Sequence, residues 1–255
     1  MPFVSAVTFL MRNIRLTIEY DGAAYYGWQR QNGQRSIQQT IEEAIKLITK
    51  EKVSVIGSGR TDTGVHALNQ IAHFKMKSDI GTENLSHALN SVLPDDIVIK
   101  KLEDVSPEFH ARFDVKRKRY IYQIWNGQTA TALHRHFCWH IRQELDVEKM
   151  VEAAQLLVGT HDFGAFCGTG SKVKDYVRTL YTFQIEKDQE GKILMIISAD
   201  GFLRHMVRNI VGTLVDVGKG KTTPEEFRII LDSRDRRRAG MTAPAHGLFL
   251  AEVHY

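Results

Sequence analysis

The chain has 255 residues, of which 43% are hydrophobic and 25% are charged. This composition is typical of an ordinary globular protein and excludes the disordered and fibrous classes. No apolar run approaches the roughly 18 residues that a membrane span needs. At this length one core usually gives way to two, so we expect one large domain or two closely joined domains. The net charge of +4 is by itself weak evidence for a nucleic-acid partner.

The two cysteines and the N-terminus bear on the cellular compartment. Cys138 and Cys167 lie far apart without CxxC spacing, which predicts neither a disulfide framework nor a zinc ribbon. The N-terminal MPFVSAVTFLM is apolar but has no basic segment before it, so it does not have the form of a signal peptide. Met11 is a candidate for the biological start. We therefore expect a cytoplasmic protein.

Hydrophobic periodicity predicts alternating strands and helices in the first half of the chain. RNIRLTIEY alternates polar and apolar side chains, which is typical of a half-buried strand. Ser36 and Gln39 have the spacing of a capping box at the start of a helix. The expected elements are strands over 12–20, 53–57, 69–76 and 96–105 and helices over 36–50 and 83–92.

A similar alternation follows in the second half. The expected elements are a long strand over 113–126, a helix over 147–158, two strands within 177–201 around Gly191, helices over 202–218 and 224–235, and a last strand over 247–255. The halves meet near residues 104–110 with no low-complexity linker. We predict two α+β domains, 1–105 and 106–255, that share a sheet or a broad interface.

The loop GSGRTDTGVHA, residues 57–67, has the glycines of a phosphate-binding loop but not its charge. Gly59 and Gly64 have the Walker A spacing, yet Val65 and His66 follow where lysine and a hydroxyl residue are needed. Asp62 stands at the third glycine of a dinucleotide fingerprint, where a carboxylate would repel a pyrophosphate. Two interpretations are left. Either substrate approaches a carboxylate that a basic neighbour keeps charged, or Asp62 caps a turn and pairs with Arg60.

Basic residues are concentrated in short runs. RFDVKRKR, residues 112–119, has five basic residues and one acid, and a second run contains Arg234, Arg236, Arg237 and Arg238. Each run alone is most simply a solvated surface, whereas several together favour a nucleic-acid partner.

Six stretches, in order along the chain, resemble segments of the tRNA pseudouridine synthase A family. They are IRLTIEYDGAAYYGWQRQ, GRTDTGVHALNQIAHF, HARFDVKRKRYIY, GTHDFGAFC, FLRHMVRNIVGTLVDVG and AGMTAPAHGLFLAEVHY. Together they extend from about residue 14 to residue 255. A collinear set of this length is specific, whereas the glycine loop alone would not be.

The resemblance implies a fold, an activity and a set of site residues. The implied fold has two RRM-like α+β domains that form one extended antiparallel sheet. The implied activity converts uridine to pseudouridine at positions 38, 39 and 40 in the anticodon arm of tRNA, in a homodimer without metal or organic cofactor. Asp62 matches the catalytic aspartate and Arg60 its motif partner, which either keeps Asp62 charged or contacts the RNA backbone. Tyr120 matches the tyrosine that stacks on the target base, and Arg208 matches the arginine that pairs with the aspartate.

The chemistry suits these residue types, although each has a simpler interpretation. A carboxylate can assist the cleavage of the glycosidic bond by attack at C1′, by attack at C6 or by aiding elimination. The Tyr120 phenol could help to remove the C5 proton. Alternatively, Tyr120 is a core aromatic of a strand that it shares with Tyr122. Arg208 could be a surface residue on a helix face shared with Arg204.

Two further interpretations concern other residues. HRHFCWH places His134, His136, Cys138 and His140 on one face if it is a strand, but four consecutive ligands on one face do not readily converge on one ion, so we expect no metal site. A non-catalytic RNA-binding protein would use the basic runs and exposed aromatics such as Tyr25, Tyr26 and Trp28. Asp62 argues against that alternative, because an acid in an RNA-facing loop repels phosphate.

Overall fold

The computed structural model describes residues 11–171 and 173–255. The segment before Met11 lies outside the described residues, so the prediction that Met11 is the biological start stays a prediction. The strands are β1 (Arg12–Tyr20), β2 (Ile56–Gly57), β3 (His66–Met76), β4 (Ile97–Val105), β5 (Arg117–Asn126), β6 (Trp139–Ile141), β7 (Gly159–Asp162), β8 (Val177–Lys187), β9 (Lys192–Ala199) and β10 (Leu248–His254). The helices are α1 (Ile37–Thr49), α2 (Thr82–Val92), α3 (Val147–Gln155), α4 (Met206–Gly218) and α5 (Pro224–Ser233).

All ten strands belong to one sheet, with the order β4-β1-β3-β10-β5-β9-β8-β7, β2 on β3 and β6 on β5. The first half runs β1-α1-β2-β3-α2-β4 and has the strand order β4-β1-β3-β2, the split βαβ arrangement of ferredoxin-like folds. The second half repeats this order as β10-β5-β9-β8. The predicted α+β class and the shared extended sheet are therefore confirmed. The domain boundary after residue 105 stays a prediction.

The two halves join between β3 and β10, and this junction corrects the expectation of an antiparallel sheet. β10 runs parallel to β3, with Phe249 opposite His66, and β6 runs parallel to β5. β2 and β10 pair with the same edge of β3. Because β2 pairs there only near His73, the start of β3 is free to pair with β10. The strand predicted over 53–57 is short because the Val55 amide donates to Glu42 Oε1 at 3.0 Å rather than to a strand.

The predicted helices are present, and their ends differ for local reasons. Ser36 Oγ accepts the Gln39 amide at 3.3 Å, but the Gln39 side chain donates to Glu43, so only half of the capping box forms. The last turn predicted for α3 is instead made of hydrogen bonds between residues three apart. α4 begins at Met206 instead of 202, because His205 has φ 58° and cannot continue a helix.

The start of α4 corrects the proposed helix face. Arg204 lies before the helix, so it does not share a helix face with Arg208. The long strand predicted from residue 113 begins at Arg117, because a turn closes first, with the Asp114 amide donating to the His110 carbonyl at 3.1 Å.

The core of the first half lies between the sheet and its helices. Alternate residues of β1 are fully buried and pack with apolar residues of α1 and α2: Ile14, Leu16, Ile18, Ile37, Ile41, Ile45, Leu85 and Leu89. This period of two on the strand and about four on the helices is the pattern from which the elements were predicted. Within the described residues, no helix is long and apolar enough to cross a membrane.

Candidate active site

The glycine loop connects β2 to β3 and lies at the junction of the two halves. Its backbone is fixed from the side by the segment after β1: the Trp28 amide donates to the Thr61 carbonyl at 3.1 Å, and Tyr20 Oη lies 2.8 Å from Thr61 Oγ1. Gly27 has φ 80°, and a Cβ there would lie 2.4 Å from the Thr61 oxygen. A glycine is thus required at 27 for the two segments to approach. This packing fixes the position of the loop that carries Asp62.

Asp62 contacts the first turn of α4, which belongs to the other half of the chain. Arg208 Nη1 donates to Asp62 Oδ2 at 3.2 Å, and His205 Nε2 lies 3.6 Å from the same oxygen. The Asp62 side chain is 29% exposed and that of Arg208 is 15% exposed, so the pair is partly shielded from water. The positive end of the α4 dipole also favours a carboxylate here. An ion pair therefore spans the junction.

Arg208 is itself held by the segment that follows α5. Its Nε donates to the Ala243 carbonyl at 2.7 Å, while the Ala243 amide donates to the Arg208 carbonyl at 3.0 Å. Arg236 supports the segment through Thr242 Oγ1 at 3.1 Å and Asn209 Oδ1 at 3.0 Å. Because one guanidinium donates in two directions, its position is fixed before any substrate binds.

Tyr120 lies on β5 next to this pair, and only 7% of it is exposed. The edge-to-face contact with Phe202 has a ring separation of 5.0 Å. Burial, together with the nearby Tyr20 and the Asp62 charge, raises the pKa of the Tyr120 phenol. A phenol that stays protonated can donate a hydrogen bond or offer its ring, but it is a poor base. A role of this phenol in removing the C5 proton stays a prediction.

Arg60 lies on the same loop as Asp62, and its side chain is exposed. In the described part of the chain it forms no ion pair, and the partners of Asp62 are Arg208 and His205 instead. The interpretation of a turn closed by an Arg60–Asp62 pair is thus wrong. The Asp62 main-chain carbonyl does accept the Val65 amide at 3.1 Å, so the turn is closed by backbone.

Lys118 supports the loop from behind and was counted in the sequence only as one of a basic run. Its Nζ donates to the Ser58 carbonyl at 2.7 Å, and Gln70 binds both Ser58 Oγ at 2.6 Å and the Gly59 carbonyl at 2.9 Å. Burial, and to a smaller degree Arg112, lowers the pKa of Lys118 to about 8. The alternation of side chains along β5 is the signal that could have identified Lys118, because it lies on the same face of the strand as Tyr120.

His205 is the second residue that sequence reasoning missed. It lies in the quoted stretch FLRHMVRN, three residues before Arg208, which is about one helical turn. Its spacing of about one turn from Arg208, the predicted partner of Asp62, is the signal in the sequence that identifies His205.

The histidine-rich stretch HRHFCWH does not form the strand on which its side chains would alternate. Only Trp139 and His140 of that stretch belong to β6, and residues 134–138 form a turn. Cys138 Sγ donates to the His134 carbonyl at 3.2 Å. Among residues 11–171 and 173–255, no three histidine, cysteine or acidic side chains are grouped as metal ligands.

Comparison with known proteins agrees with this architecture. Residues 16–114 and 153–255 match the family model described as tRNA pseudouridine synthase. The tRNA pseudouridine synthase A of Acetivibrio thermocellus is 52% identical over 246 residues, which cover 96% of this chain and 100% of that protein. The tRNA pseudouridine synthase A 2 of Clostridium perfringens is 50% identical, with the same coverage. The tRNA pseudouridine synthase A of Bacillus licheniformis is 45% identical over 244 residues, which cover 95% of this chain and 98% of that protein. The chain belongs to the tRNA pseudouridine synthase family, as its six stretches indicated.

Proposed function

We propose that this protein isomerises uridine to pseudouridine in the anticodon arm of tRNA, at positions 38, 39 and 40, with Asp62 as the catalytic carboxylate. The observation that carries the assignment is the Asp62–Arg208 ion pair across the junction of the two halves, at 3.2 Å. An enzyme of this kind acts in the cytoplasm and, by the resemblance, as a homodimer. Sedimentation of the purified protein tests the dimer, and a single species of 29.1 kDa would contradict it.

The reaction needs no oxidant and no group donor. The bond from C1′ to N1 breaks, C1′ bonds to C5, the C5 proton leaves to solvent and N1 gains a proton. Asp62 stabilises the broken state, by attack at C1′ or C6 or by assisting elimination. Arg208 keeps the carboxylate oriented and charged. Tyr120 contacts the base through the part of its ring that the 7% exposure leaves accessible, or through a hydrogen bond from its protonated phenol.

Arg60 is proposed to contact the RNA backbone. It stands on the same loop as Asp62, is exposed, and forms no ion pair within the described chain. An exposed guanidinium beside the site suits phosphate recognition, which would help to hold a uridine that has left its stack.

The alternative, a non-catalytic RNA-binding protein, loses one of its supports. Of the aromatic residues it would use, Tyr25 and Trp28 are buried at 1% and 2% exposure, and Tyr26 is exposed. Stacking platforms need accessible rings. A pure binder also has no use for Asp62 and its fixed partner.

Tritium release from tRNA labelled at uridine C5 tests the catalytic assignment. The wild type should release tritium, whereas Asp62→Asn and Asp62→Ala should release none and still bind tRNA. Asp79→Asn removes an exposed carboxylate from the segment between β3 and α2 and should behave as the wild type. The proposal fails if the wild type releases no tritium or if Asp62→Ala releases as much. A collapse of tRNA binding in Asp62→Asn would make Asp62 a structural residue.

A further inference from the structure

His205 is held in an unusual conformation at the start of α4. It is the N-cap of the helix, yet its φ of 58° and ψ of 4° are left-handed, and its side chain caps no helix amide. N-cap residues ordinarily have an extended backbone. The other two non-glycine residues with positive φ in the described chain, Lys50 and Arg234, follow the ends of helices, where this conformation is common. Helix capping therefore does not explain the backbone of His205.

The left-handed backbone brings the imidazole to Asp62. Nε2 lies 3.6 Å from Asp62 Oδ2, the same oxygen that Arg208 Nη1 contacts at 3.2 Å. Within residues 11–171 and 173–255, no donor forms a hydrogen bond to Oδ1. Two side chains one helical turn apart thus hold one carboxylate oxygen and leave the other for the substrate. A separation of 3.6 Å is longer than a hydrogen bond, and such contacts often tighten when substrate binds.

The opposite edge of the ring is also enclosed. A Cβ at Gly168 would lie 2.7 Å from His205 Nδ1, and the Gly168 amide donates to the Arg204 carbonyl at 2.7 Å. Gly168 directly follows the stretch GTHDFGAFC. A glycine at 168 makes room for the ring, and the backbone around it fixes where the ring can lie.

The surroundings of His205 favour its neutral form. Burial and the three arginines that face it, Arg208, Arg204 and Arg236, lower the pKa of the imidazole, and Asp62 opposes them. A neutral ring can donate from Nε2 without adding a second full positive charge to the carboxylate. Asp62 therefore keeps one cationic partner and one neutral one.

We infer that His205 is a positioning residue, which together with Arg208 fixes the Asp62 carboxylate through Oδ2 and presents Oδ1 to the uridine. The inference rests on the proposed function, since it assigns His205 a task in that reaction. It predicts that removing the imidazole slows the chemical step and leaves tRNA binding unchanged.

The experiment uses His205→Gly, because glycine adopts this backbone without strain and the variant should fold. With wild-type activity established by tritium release, the single-turnover rate of pseudouridine formation is measured at saturating enzyme. His205→Gly should be about 10- to 100-fold slower, with an unchanged Kd for tRNA. Added imidazole, or the variant His205→Gln, whose amide can reach Oδ2, should restore part of the rate. Restoration by imidazole should grow with pH as the free imidazole becomes neutral.

Two outcomes would overturn the inference. One is a His205→Gly rate within about threefold of the wild type, which is less than the loss of one oriented contact should cause. The other is a slow variant that neither imidazole nor His205→Gln restores at all, which would make the ring a packing element. In both cases the wild type is active, so the proposed function would stand. An inactive wild type would instead contradict the proposed function itself.

Discussion

Arg208 is the residue on which the proposed site depends most directly after Asp62. Its guanidinium donates from Nη1 to Asp62 and from Nε to the Ala243 carbonyl, so it links the carboxylate to the segment after α5. Lysine has one ammonium and cannot donate in both directions at these positions. A charge-preserving substitution therefore separates geometry from charge.

We expect Arg208→Lys to lower the single-turnover rate by about 10- to 100-fold, since an oriented charge-assisted hydrogen bond is lost. The affinity for tRNA should change little, because the positive charge is kept. Arg228→Lys alters an exposed ion pair on α5 and serves as the control. If Arg208→Lys turned over at the wild-type rate, the bidirectional geometry would be irrelevant to catalysis.

Lys118 predicts a pH-dependent stability that can be measured without substrate. Its pKa is about 8 in the folded protein and 10.5 in an unfolded chain. Between these values the unfolded chain binds more protons, so the stability of the folded protein rises with pH. Relative to Lys118→Met, the wild type should gain about 1 to 3 kcal/mol in unfolding free energy between about pH 7 and pH 10.

Urea unfolding of both proteins across that range measures the difference, which cancels the other titrating groups. Lys46→Met, which removes an exposed lysine from α1, is the control for the loss of a lysine side chain. A flat difference for Lys118→Met would mean that this lysine is solvated like the control.

At the scale of elements, the contact between α4 and the segment 239–244 positions Arg208. A Cβ at Gly212 would lie 1.7 Å from the Met241 carbonyl oxygen, and the Gly240 amide donates to Thr213 Oγ1 at 2.9 Å. Helix propensity alone would reward alanine at 212 by about 1 kcal/mol. The clash is with backbone, which cannot rotate away, so we expect displacement of the segment to dominate.

Gly212→Ala should therefore lower the unfolding free energy by about 1 to 3 kcal/mol and slow pseudouridine formation, because Ala243 moves away from Arg208. Thermal unfolding and the single-turnover rate measure the two effects. Gly81→Ala is the control without a clash, since Gly81 has open space around its Cβ position and an ordinary φ of −60°. Because Gly81 is the N-cap of α2, this change should cost at most about 1 kcal/mol and leave the rate of pseudouridine formation unchanged. An unchanged Gly212→Ala enzyme would show that the segment adapts.

Elements could be predicted from the sequence where buried and exposed residues alternate. The prediction was poorer where a side chain accepts a hydrogen bond from a strand amide or where a residue adopts an unusual backbone conformation. β1 and α1 follow their apolar periods, so their existence and bounds could be predicted. β2 is short because Glu42, distant in sequence, captures the Val55 amide. α4 starts late because His205 adopts a left-handed backbone, which no propensity predicts for histidine at a helix start.

At the scale of the whole molecule, the residues that meet in the site come from four separate regions: the glycine loop, β5, the start of α4 and the segment after α5. The resemblance named Asp62, Tyr120 and Arg208, and the structure brings Asp62 and Arg208 into contact. Composition does not single out Lys118 and His205. Spacing relates them to Tyr120 and Arg208, but the residues that they contact become their neighbours only when β10 pairs with β3 and joins the halves. The sequence left open whether Arg60 pairs with Asp62 or contacts the RNA backbone, because adjacency in sequence does not fix the direction of a side chain in a glycine loop, and the described residues contain no Arg60–Asp62 ion pair.

Some residues of the basic runs form ion pairs within the protein, whereas others are exposed and unpaired. The number of exposed, unpaired cations sets the expected salt dependence of tRNA binding. Arg119 pairs with Glu252, Arg237 with Asp235, and Lys118 faces the loop, so these cations are partly used within the protein. In the two basic runs, the glycine loop and the segment just before α4, the exposed cations that form no ion pair within the described residues are Arg60, Arg112, Lys116, Arg204 and Arg238.

If these five exposed cations meet phosphates, the logarithm of the tRNA association constant should fall with the logarithm of salt concentration with a slope of about −3 to −5. Each phosphate contact releases condensed counterions, so the slope counts contacts rather than basic residues. Filter binding or fluorescence titration at several salt concentrations measures it. Arg60→Gln should reduce the slope by about one, and Arg228→Gln, on an ion-paired exposed face of α5, should leave it unchanged. A slope near zero would mean that tRNA is held by uncharged contacts, and the basic runs would then be only a solvated surface.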